Sequence, residues 1–435
     1  MKNTKNYIDY LIKFNPNLRE NFSDKTKETL NKLYNLLKDR EENIYLVGGM
    51  ARDIFLGRDS HDIDLVMDGN PQDVASSVIE NFNVKKHRFN EKFLTYNIFM
   101  SGETNIDIAQ FRTEIYETPG ALPTVFSENN LEKDCLRRDF TINSIYISLD
   151  EKAKLYDPLN GLKDLKDGII RVIHEKSFYD DPTRILRAIK FAGRYNYEIS
   201  ERTSKLLEQG VKNNYLSLIS DTRLANEIYG TLEEKNIDQI LIRMKRYKIF
   251  DYFQIANLED EDIIKFTDFL KTDFFKNYKR ECKISMTHFI LAFIVEKMEQ
   301  EKKIEFFKRL GFGNRTIKNI IFTEDEREKI IKLVENASSN CDIYGALNSL
   351  NPLKLILILW YFRNKKDIEN IKKIEYYIYE LSHIKMLVNG RDIINLGIKD
   401  GKLIKKHLEK AIEYQLKMEN PTKEKIIAKI MLEIK

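Results

Sequence analysis

Strict alternation of apolar and polar residues marks a strand with one buried face, and in this chain it is confined to the first third. Asp62-Ile63-Asp64-Leu65-Val66 and Asn105-Ile106-Asp107-Ile108-Ala109 both carry it. Ile44-Tyr45-Leu46-Val47 is a shorter strand stopped by Gly48-Gly49, and residues 50–56 read as a helix closed by Gly57. Residues 141–147 read as a further strand or the start of a helix. Leu30, Leu33, Tyr34 and Leu37 recur at helical spacing, so a helix precedes residue 40. Residues 111–131, with Pro119, Gly120 and Pro123, read as a loop. Beyond about residue 175 strand signals nearly vanish. Ile185, Leu186, Ile189 and Phe191-Ala192 make one helix face, and Leu224, Ile228 and Leu232 make another. Pro352 and Pro421 mark helix starts or turns. The expected fold class is α+β: an N-terminal head with a mixed β-sheet, followed by an all-α remainder.

Composition narrows the setting. With 435 residues and roughly 100–200 residues per domain, the chain holds about two to four structural units. The hydrophobic fraction of 42% is enough for sizeable cores, and 17 Gly with 8 Pro argue against long disordered stretches. Cys135, Cys282 and Cys341 lie far apart and in no metal spacing, which fits a reducing cytoplasm better than a disulfide framework or a zinc site. Residues 1–10 contain no apolar signal core. The longest apolar run, 355–362, is far short of the ~20 residues a membrane-spanning helix needs, so no membrane partner is expected. A net charge of +4 permits nucleic acid as a partner without requiring it.

The sharpest local feature is Gly48-Gly49-Met50-Ala51-Arg52-Asp53, followed by Asp62-Ile63-Asp64. On a strand, residues i and i+2 share a face, about 6–7 Å apart, so Asp62 and Asp64 project together. Side-by-side carboxylates repel unless a cation sits between them. Mg²⁺ is the natural choice, because it takes carboxylate oxygens and brings phosphate oxygens with it. Gly48 and Gly49 let backbone N–H groups approach a phosphate at the N-terminus of the following helix. The combination reads as a nucleoside triphosphate site. Asp107, on the second alternating strand, is either a third carboxylate of that site or an ordinary exposed strand residue.

Further blocks follow in order: Arg137-Arg138-Asp139-Phe140-Thr141-Ile142-Asn143-Ser144-Ile145, then Asp157-Pro158-Leu159-Asn160-Gly161, then Asp180-Asp181-Pro182-Thr183-Arg184-Ile185-Leu186-Arg187. Together with the Gly-Gly and Asp-x-Asp elements they resemble the class II CCA-adding tRNA nucleotidyltransferase and bacterial poly(A) polymerase family. The likeness is close over residues 44–230, and Asn389-Gly390-Arg391-Asp392 and the residues after it are similar to that family's tail. The resemblance implies a catalytic head (1–174), a helical neck carrying base recognition (175–235), a helical body (236–385) and a tRNA-binding tail (386–435). It implies that Asp62 and Asp64 are catalytic and carry metal. Gly48, Gly49, Arg52, Arg137, Arg138, Asp139, Asn143, Asp181, Arg184 and Arg187 would then bind the nucleotide. Adjacent guanidiniums suit a polyphosphate because each offers forked donors; without the family, Arg137 and Arg138 would read as surface partners of Glu132 or Asp134.

Asp181 and Arg184 occupy the position that the family uses as a protein template for the incoming base. Cytosine and adenine each present an exocyclic amino donor beside a ring-nitrogen acceptor. A carboxylate accepts from the first and a guanidinium donates to the second. Uracil and guanine present a carbonyl instead and leave the carboxylate unpaired. The alternative is that Asp181 is a helix N-cap before Pro182, with Arg184 as its ion-pair partner. The family usually has Glu-Asp here, where this chain has Asp180-Asp181. Arg223 and Glu227, spaced i,i+4, read as a helix-surface pair supporting the neck.

Within the family, residues 112–123 resemble the flexible loop of full CCA-adding enzymes. The resemblance implies CCA addition to the tRNA 3′ end from CTP and ATP. It leaves A-adding, CC-adding and poly(A)-polymerising activity, and a non-catalytic RNA-binding relative, as alternatives. Residues 391–435 hold 11 basic and 7 acidic residues, a mildly basic end rather than a polybasic arm. His288 is followed by Phe289-Ile290, so no His-Asp hydrolase signature is present, and it reads as a core histidine.

Overall fold

The structure is a computed structural model that describes residues 6–434 apart from 61, 102, 103, 256 and 257; residues 1–5 of the segment read for a signal lie outside that set. One sheet holds seven strands: β1 (Ile44–Leu46), β2 (Asp62–Met67), β3 (Val84–Asn90), β4 (Thr95–Met100), β5 (Asn105–Gln110), β8 (Tyr146–Ser148) and β9 (Leu155–Tyr156). Their spatial order is β3-β4-β5-β2-β1-β8-β9. β2 and β5 run parallel, with Asp62 opposite Asn105 and Asp64 opposite Asp107. The other pairings are antiparallel, so the sheet is mixed.

β2 and β5 place their apolar residues on one face, as their sequences dictate. Ile63, Leu65, Ile98, Ile106 and Ile108 are buried on one face, where the helix Pro71–Asn81 packs through Val74, Ala75 and Val78. Each such side chain contributes about 1.5–3 kcal/mol by leaving water. The opposite face carries Asp62 and Asp64. Its lower end is closed by Tyr45, Val47, Val66, Phe111, Cys135 and Tyr146, and its upper end is left polar.

Two elements differ from the sequence reading. The segment read as a loop contains a hairpin, β6 (Arg112–Ile115) paired antiparallel with β7 (Thr124–Ser127). Only its turn holds the Pro and Gly residues; the strands were hidden because the hairpin packs little apolar surface, with Ile115 and Phe126 about half exposed. Residues 141–147 split into a 3₁₀ turn, Thr141–Asn143, and the start of β8.

The chain forms two compact units, Met1–Phe253 and Gln254–Lys435. The first holds the sheet and, after it, the helices Thr183–Tyr195, Glu201–Lys212, Asp221–Leu232 and Ile237–Arg246. Among the described residues of the second unit all regular structure is helical. One core there gathers Phe266, Phe269, Phe289, Phe293 and Trp360; another, near the C-terminus, gathers Val388, Ile393, Ile398, Ala411, Ile426 and Ile430. Half-buried His288 lies edge-on to Phe312. No single helix among the described residues is long and apolar enough to cross a membrane, and the apolar pair Asn340–Leu347 and Pro352–Asn364 is bent by 118°.

Candidate active site

Asp64 sits where β1 hands over to the helix Gly48–Leu56. Its Oδ2 accepts from the Gly49 N–H at 3.1 Å, so the carboxylate caps the first turn of that helix. The N–H that the sequence suggested for a phosphate is thus already engaged by Asp64. Gly48 has φ +61°, and a Cβ there would stand 3.1 Å from the same Oδ2. The positive φ favours glycine there, and a Cβ would crowd the carboxylate.

Asp64 shares the open sheet face with Asp62 and Asp107. Asp62 Oδ1 accepts from Asn105 at 2.9 Å, and Asp107 Oδ1 accepts from Asn97 at 2.7 Å. Burial, then the negative charge of Asp107, pushes the Asp64 carboxyl up to about 6, against the opposing pull of Gly49 and Arg138. Asp107 is also raised, by burial first and by Asp62, with Asn97 opposing. Among the described residues no three His, Cys, Asp or Glu side chains stand ready-arranged around a metal ion. The donor set itself fits a hard divalent cation: it offers only carboxylate oxygens, crowded on one face of adjacent strands.

Asp134, on the helix Leu131–Leu136, is fully buried and organises the arginine pair. It accepts from Arg137 at 2.8 Å, from Arg138 at 2.9 Å and from the Tyr146 hydroxyl at 2.8 Å. Burial alone would raise its pKa; Arg138 and Arg137 hold it well below the ordinary carboxylate range instead. Of the two surface partners considered for this pair, Asp134 is the one engaged. Glu114 of β6 adds a second anchor, accepting from Arg137 at 3.2 Å, from Arg112 at 3.0 Å and from the Tyr116 hydroxyl at 2.9 Å.

Asp139 is held by Arg187 at 2.5 and 3.0 Å and by Asn143 at 2.9 Å. Burial opposes, but Arg187 and Asn143 bring its pKa down to about 2. Asn143 in turn accepts from Arg52 at 2.6 Å. Arg52 is only 4% exposed and lies over the rings of Tyr195 and Phe191. Its bond supports Asn143, and its Nη2 would stand 3.7 Å from a Cβ on Gly49.

The helix Thr183–Tyr195 presents Asp181 and Arg184 at its start, but they do not pair with each other. Arg184 donates to Ser177 Oγ at 2.8 Å and to the carbonyl of Arg137 at 2.7 Å. Asp181 Oδ1 accepts from the Thr183 N–H at 3.1 Å, from the Thr183 hydroxyl at 2.6 Å and from Arg223 at 2.8 Å. The capping role and a second oxygen without a hydrogen bond among the described residues therefore coexist. Arg223 does not pair with Glu227, as the i,i+4 spacing had suggested. Its guanidinium spans Asp181 and the Gly120 carbonyl at 2.6 Å, while Glu227 meets Lys190 at 3.1 Å and Arg187 at 3.9 Å. Gly120, at the hairpin tip, has φ +74°, and a Cβ there would lie 2.6 Å from the Leu218 carbonyl oxygen.

These groups converge on one cleft of about 420 Å³ lined by Glu114, Tyr116, Arg137, Arg138, Asp139, Asp181, Thr183, Arg184, Arg187, Arg223, Asn226 and Glu227. Gly48, Gly49 and Asp64 adjoin it through Arg138, whose Nη1 would be 3.9 Å from a Cβ on Gly48. Glu114, Asp134 and Arg223 escaped the sequence reading as site residues. Only Asp134 left a local signal there, its i+3 and i+4 spacing to Arg137 and Arg138. A somewhat larger cavity of about 490 Å³ lies in the second unit around Lys303, Arg327 and Tyr361 and contains none of these residues.

The chain is similar to known proteins in sequence and in fold. Residues 44–171 match the poly A polymerase head domain. The A-adding tRNA nucleotidyltransferase of Aquifex aeolicus is 32% identical over 346 residues, which are 79% of this chain and 41% of that protein, so the chain spans about two fifths of that relative's length. The solved complex of a CCA-adding enzyme with ATP superimposes with a TM-score of 0.79 at 27% identity, covering 96% of each chain. The Thermotoga maritima CCA-adding enzyme complexed with tRNA(CCA) gives a TM-score of 0.75 at 26% identity, covering 97% of this chain and 98% of that one.

Proposed function

The chain belongs to the class II CCA-adding tRNA nucleotidyltransferase and bacterial poly(A) polymerase family, and from that premise we propose that it extends the 3′ end of tRNA without a nucleic-acid template, adding C, C and A from CTP and ATP. The observation that carries this reading is the single cleft in which Asp181 and Arg184 stand beside Arg137 and Arg138. The second Asp181 oxygen accepts the exocyclic amine of cytosine or adenine. Arg184 donates to the neighbouring ring nitrogen. Arg137 and Arg138, pre-set by Asp134, take the triphosphate, and Asp139, Asn143 and Arg187 form the wall that orients the ribose.

Asp62 and Asp64, with Asp107 on the adjacent strand, are the residues that would hold Mg²⁺. When bound, the cations supply charge neutralisation for the attacking hydroxyl and the departing pyrophosphate. Gly48 and Gly49 keep the backbone close to Asp64 so that its carboxylate faces the α-phosphate. Residues 1–174 serve as head, 175–235 as neck, 236–385 as body and 386–435 as tail, the helical part gripping tRNA chiefly through phosphates.

A second reading, addition of A alone, is favoured by the A-adding relative. A tRNA transcript ending at its last base before CCA, supplied with CTP and ATP, distinguishes the two. Sequencing the extended ends should give CCA and a stop. Extension only of transcripts already ending in CC makes the protein A-adding, and long A tracts place it with the poly(A) polymerases.

A further inference from the structure

The sheet face that carries the carboxylates does not end with them. Reading across the strands at the level of Asp64, the row continues through Asp107 and Asn97 to Arg88. The adjacent row runs from Asp62 through Asn105 and Phe99 to Lys86. The Asn97–Asp107 and Asn105–Asp62 hydrogen bonds confirm that these side chains share one side of the sheet. With strands about 4.8 Å apart, Arg88 stands roughly 14 Å from Asp64, and Phe99 lies between. Lys86 and Arg88 are exposed, and Phe99 on the same face is 41% exposed. Neither cation has an ion-pair partner among the described residues.

The nucleotide cleft lies on the opposite flank. Arg138 donates to Tyr146 on β8 at 2.8 Å and approaches Gly48 beside β1. In nucleotidyl transfer the attacking hydroxyl enters roughly in line with, and opposite to, the departing pyrophosphate. A triphosphate held on the β1–β8 flank therefore leaves the β4–β3 flank for the strand that supplies the hydroxyl. An exposed aromatic ring next to two unpaired cations is what an unpaired RNA end needs, one for a base and the others for phosphates.

Resting on the nucleotidyl-transfer reading above, we propose that Lys86, Arg88 and Phe99 form a track for the unpaired 3′ end of the acceptor RNA, leading its terminal hydroxyl to Asp62, Asp64 and Asp107. Phe99 stacks on a base near the end, and Lys86 and Arg88 contact the phosphates behind it. The contacts are to backbone and to a ring face, so the track is indifferent to sequence.

Binding tests this without relying on catalysis. The full chain is titrated with a tRNA transcript ending in CC and with the same transcript trimmed to its last base pair. The wild type should bind the longer transcript more tightly. Phe99→Ala should weaken that binding about fivefold, the lower end for base–aromatic stacking, with little change for the trimmed transcript. Lys86→Gln with Arg88→Gln should lower the slope of log affinity against log salt by about 1.4 for the longer transcript only, and Lys86→Arg with Arg88→Lys should keep it. CTP binding by equilibrium dialysis and circular dichroism should match wild type in every variant. Equal binding of the two transcripts by the wild type, or an unaltered margin and slope in the variants, overturns the track. A wild type that shows the margin yet incorporates no nucleotide refutes the enzymatic reading and leaves the track standing.

Discussion

Asp64→Asn should make the protein more stable in the absence of divalent cations while destroying nucleotide incorporation. The Asp64 carboxyl rises from an ordinary 3.8 to about 6 on folding. Such a group favours the folded state while it is protonated and loses that contribution as pH climbs from about 4 to about 6. Above that window the wild type carries an ionised carboxylate in a half-buried, like-charged setting, at a cost of about 3 kcal/mol from the linkage of pKa to stability. Asparagine is neutral at every pH, and its side-chain oxygen can still accept from Gly49. The advantage of the variant should therefore be small near about pH 4, grow through about pH 6 and level off. Urea unfolding of the sheet-containing unit, followed by circular dichroism in a chelating buffer at about pH 4 and about pH 8, measures it. Added Mg²⁺ should stabilise the wild type far more than the variant and close the gap. Equal stability of the two proteins at about pH 8 without metal, or a less stable variant, would refute the idea that these carboxylates are crowded and await a cation.

Three further substitutions test the rest of the site. Asp134→Asn leaves Arg138 without its buried counter-charge and Arg137 with Glu114 alone; a loss of about 3–5 kcal/mol in urea unfolding is expected, with weaker CTP binding, and a surface-like loss below about 1 kcal/mol would argue against the organising role. Asp181→Ala should admit UTP and GTP in single-turnover assays more than it lowers thermal stability; unchanged base preference with only a lower melting temperature would leave Asp181 as a helix cap. Arg223→Ala releases both Asp181 and the Gly120 carbonyl, so it should speed protease cleavage within residues 116–123 and lower base discrimination together. A change in one without the other would separate the hairpin tip from base choice.

The central strands were legible because β2 and β5 alternate cleanly between isoleucine or leucine and a polar residue. β3 and β4 were not. Lys85, Lys86, His87 and Arg88 leave β3 without a buried face of its own, since it lies at the sheet edge, and β4 buries chiefly Ile98. Asp62, Asp64, Asp181 and Arg184 could be picked out because local spacing and the ordered blocks mark them. The partners that fix their geometry are distant in sequence: Arg223 meets Asp181 across 42 positions and Gly120 across 103. No periodicity reports such contacts. The i,i+4 rule pointed Arg223 to Glu227, but Glu227 is taken by Lys190 and Arg187 from the neighbouring helix, and Arg223 turns instead to Asp181 and the Gly120 carbonyl.

The position of β3 at the end of the sheet has a consequence for how the molecule stays apart from its own copies. An outermost strand offers a row of unsatisfied backbone N–H and C=O groups, a template on which another chain can add a strand. Here that row is flanked by Lys85, Lys86, His87 and Arg88, and the pairing of β3 with β4 shifts register between Val84 and Lys86. Like charges on two approaching edges repel, and the irregularity interrupts a continuous ladder. The basic edge thus works as a gatekeeper against sheet-to-sheet association. Neutralising it should make the protein more prone to aggregate as concentration rises, with no loss of melting temperature in dilute solution.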